Sequence, residues 1–312
     1  METATTHRLT PISASRQRRA AGYLLALTAG TIWGTTGPLS TALYAEGAAV
    51  TDVGFWRILL ASLGFLLYGV ARPEIFRLDR RALWLVMGIG GALVAGFEMA
   101  YQFAIEGAGV ASAVALLYVA PVIVAFAAWL LLGERLTPVR LLLAVLVMAG
   151  AAMTVMGAWG AEMEVSSLGV AGGMVAALCW SGSILVARFA VPIYGVIRVL
   201  FLTLAGGTLI LAIVLPLAGH APVAPGTGAA WLFILGLGGG TVLANFAFFG
   251  GVKRIDAAPA SVATTIEPVV ASLLGLLLFA QGLTAVGWIG LALVVTGVAG
   301  GYLREAEDAP AA

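Results

Sequence analysis

Charged residues are scarce in this chain. Only 10% of its 312 residues are Asp, Glu, Lys or Arg, against roughly 25% in an average soluble domain. So few charges cannot cover the surface of a water-soluble bundle of this length, which weighs against that class. The net charge of +1 leaves no electrostatic footprint for nucleic acid. Cysteine is nearly absent: Cys179 stands alone, so neither an intramolecular disulfide nor a cysteine-based metal cluster is available. The two histidines, His7 and His220, fall in polar stretches, which removes a histidine proton relay inside the apolar runs. No Gly-Lys-Ser/Thr phosphate loop occurs, so this chain contains no ATP-driven pump. With no nucleophile–base pair, metal set or cofactor motif, the reading is no enzyme, no metal site and no cofactor.

What the chain has instead is apolar length. Hydrophobic residues make up 61% and glycines number 41; glycine is tolerated in membrane helices and lets their backbones approach closely. A spanning helix needs about 20 mostly apolar residues. Such runs fall near Ala20–Tyr44, Val53–Ala71, Leu83–Ile105, Ala111–Leu132 and Val139–Met156. A second set falls near Leu168–Phe189, Ile193–Leu217, Ala229–Val252, Ala258–Ala280 and Ala285–Tyr302. The expectation is an all-α integral membrane protein of ten transmembrane helices. The first run is too long for a signal peptide and is followed by further spans.

Cytoplasmic loops collect Lys and Arg. Arg8, Arg16, Arg18 and Arg19 precede the first run, and Arg72, Arg77, Arg80 and Arg81 separate the second from the third. Arg135 and Arg140 separate the fourth from the fifth; Arg188, Lys253, Arg254 and Arg304 close the sixth, eighth and tenth. With a cytoplasmic N-terminus all of these lie on one side. The opposite loops carry Glu46, Asp52, Glu106, Glu162 and Glu164. Ten spans then put both termini inside, with cytoplasmic tails over residues 1–19 and 303–312.

The two halves repeat. An offset of 147 residues pairs Trp33 with Trp180, Trp84 with Trp231, Pro121 with Pro268 and Gly150 with Gly297, and Glu98 with Asn245. Arg57 and Arg198 pair at an offset of 141. Five helices per half is an odd number, so the second half enters from the opposite face. The predicted fold is therefore two inverted five-helix repeats, residues 20–156 and 168–302, around a central cavity. Substrate sites in such transporters lie near the midplane between repeats.

The motifs that repeat are Thr31-Ile32-Trp33-Gly34, Phe55-Trp56-Arg57, and Leu117-Tyr118-Val119-Ala120-Pro121-Val122 leading to Leu132-Gly133-Glu134-Arg135-Leu136-Thr137. The second copy of the last is Thr265-Ile266-Glu267-Pro268-Val269 through Leu283-Thr284. In these the chain resembles the drug/metabolite transporter superfamily, EamA type, over about Ala20 to Tyr302. It departs at Ala280-Gln281-Gly282, where the family carries a Gly-Glu turn. Gly96-Phe97-Glu98-Met99-Ala100-Tyr101-Gln102 is similar to the third helix of the YddG-like amino-acid exporters. The resemblance implies a bacterial inner-membrane exporter of amino acids or other small metabolites or drugs.

Polar groups inside apolar runs mark candidate sites, because a charge at the bilayer centre costs at least about 2.5–3.5 kcal/mol. Glu98, Tyr101 and Gln102 share a helix face by spacing, and Asn245, Phe246 and Phe249 form the wall expected opposite. A carboxylate and amides suit a zwitterion, and aromatics suit an apolar side chain or a cation. Glu98 has two readings, a substrate contact or a buried structural partner. Tyr118 joins the candidate substrate-binding set. Trp33 and Trp180 either stack on the substrate or pack the pseudo-two-fold centre. Glu267 beside Pro268, with Pro121 as the matching proline, is the candidate coupling or gating position: proline opens the helix, and the carboxylate there either binds a proton or satisfies its own broken helix. Arg57 and Arg198 are expected to snorkel from helix starts, with Asp52 within reach of Arg57. Glu98→Gln is expected to reduce transport and leave folding intact. The Gly88, Gly90, Gly91 and Gly238, Gly239, Gly240 clusters read as close helix contacts. The partners implied are a small-molecule substrate, membrane lipid and protons; the alternative in another class is a channel or an uncoupled uniporter.

Overall fold

A computed structural model describes residues 11–77, 79–132, 137–160, 165–255 and 257–308. His7, Arg8, residues 133–136 with Glu134 and Arg135, and Glu162 and Glu164 lie outside the described residues.

The chain is almost entirely helical, as hydrocarbon surroundings require: with no water to bond N–H and C=O groups, each segment satisfies its own backbone. Helices α1 (Pro11–Gly34), α2 (Thr36–Ala45) and α3 (Val50–Val70) are followed by a 3-10 turn, Pro73–Phe76. A π-helical stretch, Ala82–Gly90, then runs straight into α4 (Gly91–Ala108). The first half closes with α5 (Val110–Leu117), α6 (Ala120–Leu132) and α7 (Pro138–Met156). The second half contains α8 (Ser167–Tyr194), α9 (Val196–Leu217), α10 (Gly228–Val252), α11 (Ala257–Thr264), α12 (Glu267–Phe279) and α13 (Ala285–Asp308). Two three-residue strands, β1 (Ala158–Gly160) and β2 (Gln281–Leu283), pair antiparallel with Trp159 opposite Gly282.

Among the described residues, seven helical stretches are long and apolar enough to cross a membrane: Val50–Val70, Ala82–Ala108, Val110–Ala127, Ser167–Tyr194, Val196–Leu217, Gly228–Val252 and Pro259–Phe279. Leu141–Met156 and Ala285–Gly301 are apolar but shorter, and the first apolar run is divided at Thr35 between α1 and α2. Large apolar side chains point outward all round, with Leu67 73% and Leu217 82% exposed, while Arg57, Glu98 and Gln102 are buried. That arrangement suits lipid and not water.

Single glycines make two of the tightest connections. Gly109 alone separates α4 from α5 and Gly195 alone separates α8 from α9, with φ of 78° and 76°. A side chain at either place would be strained.

Helix positions recur along the chain. Val110 and Ala257, Ala120 and Glu267, and Pro138 and Ala285 are helix starts, and each pair is 147 residues apart. Packing recurs in the same way. The closest partnerships are α4 with α8, α1 with α10, and α7 with α13; α3 lies on α10 as α4 lies on α9. Of the two glycine clusters, part makes close contacts: a Cβ built on Gly91 would lie 2.7 Å from the Gly206 carbonyl carbon, on Gly90 2.8 Å from Thr203 Cγ2 and on Gly238 2.5 Å from Leu60 Cβ. Gly239 has open space around it, and at Gly88 the nearest atom, the Leu83 carbonyl oxygen of its own helical stretch, is 3.4 Å away.

Candidate functional site

Glu98 and Gln102 are one turn apart on α4, so their side chains stand on one face. Gln102 Nε2 donates to Glu98 Oε1 at 2.8 Å, and the Tyr44 hydroxyl from α2 donates to Gln102 Oε1 at 2.7 Å. Across from them on α3, Arg57 Nη1 donates to Glu98 Oε1 at 3.2 Å, the ion pair of the described residues. Arg57 Nε reaches Thr241 Oγ1 on α10 at 3.4 Å. The acceptor and donors are thus shared among α2, α3, α4 and α10. Arg57 is 7%, Glu98 2% and Gln102 0% exposed; a charge this deep is tolerable only when paired and hydrogen-bonded.

This geometry corrects three expectations. Arg57 does not snorkel, because α3 begins at Val50 and places it two turns inside the helix. Asp52 does not pair with it; Asp52 Oδ1 accepts the Val223 N–H at 2.9 Å. Arg57 and Arg198 are not equivalent. Measured from the starts of α3 and α9, the counterpart of Arg57 is Thr203, whereas Arg198 sits in the first turn of α9 with its guanidinium 4.8 Å from the centre of the Tyr194 ring.

A second polar contact forms where two helices are interrupted. The chain between α5 and α6 turns at Tyr118 and Val119; between α11 and α12 it turns at Thr265 and Ile266, the same positions 147 residues on. Pro121 and Pro268 are the second residues of α6 and α12. There the missing N–H is no loss to the new helix, so each proline starts a helix rather than kinking one. Pro268 cannot bond back to the Thr264 carbonyl. The Tyr118 hydroxyl takes that place, 3.4 Å from Thr264 O and 3.1 Å from Glu267 Oε2. The two interruptions therefore touch through one hydroxyl.

The aromatic candidates divide into two strings. Tyr101 stacks on Phe97 with ring centres 5.5 Å apart, and Phe97 meets Trp180 at 5.2 Å. Trp33 meets Phe248 at 5.6 Å, and Phe248 meets Phe249 at 5.3 Å. Tyr101 and Phe248 are 147 residues apart, as are Trp33 and Trp180. Asn245 Nδ2 donates to Thr241 O on its own helix at 2.8 Å, and Phe246 packs against Phe65 and Tyr68 of α3. Sequence reasoning missed Arg57, Tyr44 and Thr241. The signal for Arg57 was present: an arginine inside a span needs an acid at its own depth, and Glu98 is the acid nearest mid-span in the first half.

The two ends differ. At one, a segment between α9 and α10 is fastened to the α2–α3 turn. Trp56 Nε1 donates to Val223 O at 2.7 Å, Asp52 accepts from Val223 N, and Thr227 Oγ1 donates to Glu46 Oε2 at 2.9 Å. Beneath it is a cavity of about 230 Å³ lined by Glu46, Asp52, Trp56, Pro225 and Ile234 among others. At the other end, Asp79 accepts the Ala82 N–H at 2.7 Å and the Tyr194 hydroxyl at 3.0 Å. The Ala82 amide, with a smaller contribution from Tyr194, holds the Asp79 carboxyl below the usual carboxylate range. Among the described residues no three of His, Cys, Asp and Glu converge as metal ligands would.

The repeated architecture has known relatives. The EamA-like transporter family pattern matches residues 20–156 and again residues 167–302. A protein of Archaeoglobus fulgidus described as an uncharacterized transporter is 30% identical over 266 residues, 84% of this chain and 90% of that one. A solved crystal structure superimposes with a TM-score of 0.65 at 22% identity, over 93% of this chain and 99% of its own, and so shares the fold. Two matched repeats, membrane-length apolar helices and a relative of nearly the same extent lead to one conclusion: the chain is a multi-pass membrane protein that belongs to the EamA-like transporter family, within the drug/metabolite transporter superfamily.

Proposed function

We propose that this protein is a secondary transporter that exports small metabolites, with amino acids as the substrate class, by alternating access across the inner membrane of a bacterium. Its ten spans form two inverted five-helix halves, each half pairing α1–α2 with α8, α3 with α9, the Ala82–Ala108 helix with α10, α5–α6 with α11–α12, and α7 with α13. The 147-residue recurrence of helix starts and interruptions supports this reading, as does the matched packing of α4 on α8 and α1 on α10. Both termini are cytoplasmic. Supporting this, the basic residues near α1 meet those of α10: Arg18 Nη2 donates to the Lys253 carbonyl at 3.3 Å.

The observation that carries the function is the contact of Tyr118 with Glu267 where the two interrupted helices meet. Interrupted helices at the interface between repeats are where such carriers bind their cargo. Glu98 is already satisfied by Arg57 and Gln102, so Glu267 takes the substrate ammonium or, in exchange, a proton. Tyr101 and Phe248, equivalent positions of the two halves, flank an apolar side chain. The resemblance of Gly96–Gln102 to amino-acid exporters supports the same substrate class.

The test is counterflow in liposomes with a labelled neutral amino acid. Saturable uptake, accelerated by unlabelled amino acid on the far side and dependent on pH, is expected. In Glu267→Gln the pH dependence disappears. Flux that rises without saturation assigns a channel; counterflow by drugs but not amino acids assigns another cargo. An unchanged pH profile in Glu267→Gln removes that residue from coupling.

A further inference from the structure

We propose that the cleft between α1, α11 and α13 holds an acyl chain of an anionic phospholipid, whose headgroup phosphate is bound by Arg19 and Lys253. The cleft has a volume of about 340 Å³ and is lined by Tyr23, Leu27, Pro259, Val262, Ala263 and Leu303. Tyr23 and Leu27 are 42% and 40% exposed, and Leu303 52%. The cleft therefore opens sideways, where a membrane protein meets lipid tails.

Its rim carries the headgroup chemistry. Arg19, Tyr23 and Leu27 follow one another at intervals of four on α1, so the arginine stands one turn above the apolar floor on the same face. A second set of cations is brought to that level from 235 residues away. Arg18 Nη2 bonds the Lys253 carbonyl, and a Cβ built on Gly22 would lie 3.0 Å from Arg254 Cβ. Arg254 is turned back onto the Gly250 carbonyl at 2.7 Å. Among the described residues, Arg19 and Lys253 are exposed and form no ion pair. An exposed arginine one turn above a lipid-facing apolar cleft, with an exposed lysine held at the same level of α1, matches an anionic lipid: phosphate at the surface, tail below. Basic pockets between spanning helices are a known setting for such headgroups.

The experiment is native mass spectrometry of the full-length protein in detergent, with equimolar phosphatidylglycerol and phosphatidylethanolamine of identical chains. Preferential retention of phosphatidylglycerol is expected. Removal of each cation in Arg19→Gln and Lys253→Gln should lower it about fivefold, with phosphatidylethanolamine unaffected. Ala263→Phe fills the cleft and should lower retention of both lipids. Equal retention of the two lipids by the wild type overturns the proposal, as does phosphatidylglycerol retention that survives either the double charge variant or Ala263→Phe. If Ala263→Phe blocks transport while lipid retention persists, the cleft is a substrate path and the proposal fails. Thermal unfolding of the wild type gives an arm independent of variants. Phosphatidylglycerol should raise the midpoint more than phosphatidylethanolamine, and the difference should vanish in high salt; equal shifts overturn the assignment. Apart from the transport arm, none of these readouts depends on the identity of the cargo.

Discussion

At the scale of single residues, the buried Arg57–Glu98 pair changes what Glu98→Gln should do. Removing one partner of a buried ion pair strands the other charge, at a cost of about 3–5 kcal/mol. Thermal unfolding in detergent should therefore find Glu98→Gln strongly destabilised, and Arg57→Gln likewise. The Arg57→Gln/Glu98→Gln double variant should recover most of the loss. Simple additivity of the two single effects would show that the pair is not energetically coupled. This replaces the expectation that Glu98→Gln folds normally. Glu98 was legible in the sequence because an acid inside an apolar run stands out. Its partner Arg57 was visible as an arginine inside a run, but its depth was not, because apolarity marks the lipid-facing part of a helix and not its first turn. The apolar run begins near Val53, whereas α3 begins at Val50, and that difference moves Arg57 from the membrane interface to the interior.

At the scale of elements, the interruptions at Tyr118–Val119 and Thr265–Ile266 are the features most open to test. Proline costs α12 little at its second position. Pro268→Ala should therefore alter stability only if the gap closes and a 268-to-264 backbone bond forms, worth about 1 kcal/mol. We expect a higher unfolding midpoint and transport slowed about fivefold, read as initial flux at saturating substrate. Unchanged transport would mean that the gap plays no part in the rate. The prolines made an interruption legible, but not its position. Its residues are ordinary in type, and the partner that fills the freed Thr264 carbonyl, Tyr118, comes from the other half of the chain. The helix beginning near Ala82 offers a second test, outside the membrane. Asp79 has its carboxyl held low by the Ala82 amide and Tyr194. A depressed value means stability that is present above the unfolded carboxylate value of about 3.9 and lost as pH falls through the folded one. Asp79→Asn should be less stable than wild type at pH 7, and the gap should close on titration below about pH 4. A gap that stays constant with pH would mean that the charge at Asp79 is not what matters.

At the scale of the whole molecule, the proposed orientation predicts where probes can reach. With Cys179 replaced by Ala, a cysteine at His220 should react with a membrane-impermeant maleimide added to intact cells. A cysteine at Arg72 should react only after lysis. The reverse pattern would invert the molecule. The helical class of the chain was legible, since 20-residue apolar runs and a 147-residue recurrence are long-range signals that single substitutions do not erase, whereas the split of the first run at Thr35 was not. The β1–β2 ladder was not, because three residues per strand carry no periodicity, and its register depends on two segments 123 residues apart.

That ladder has a mechanical meaning. A Cβ built on Gly150 would lie 2.6 Å from the Gly290 carbonyl oxygen, so α7 and α13 touch backbone to backbone. Just past that contact, Thr284 N donates to Gly157 O at 2.8 Å, and the strands continue the seam. Two rods seamed along their length and laced at one tip behave as a spindle. Under the alternating access proposed above, helices tilting about it would travel least near the lacing and farthest at the opposite tip: a short stroke beside β1 and β2, a long one at the far ends of α7 and α13.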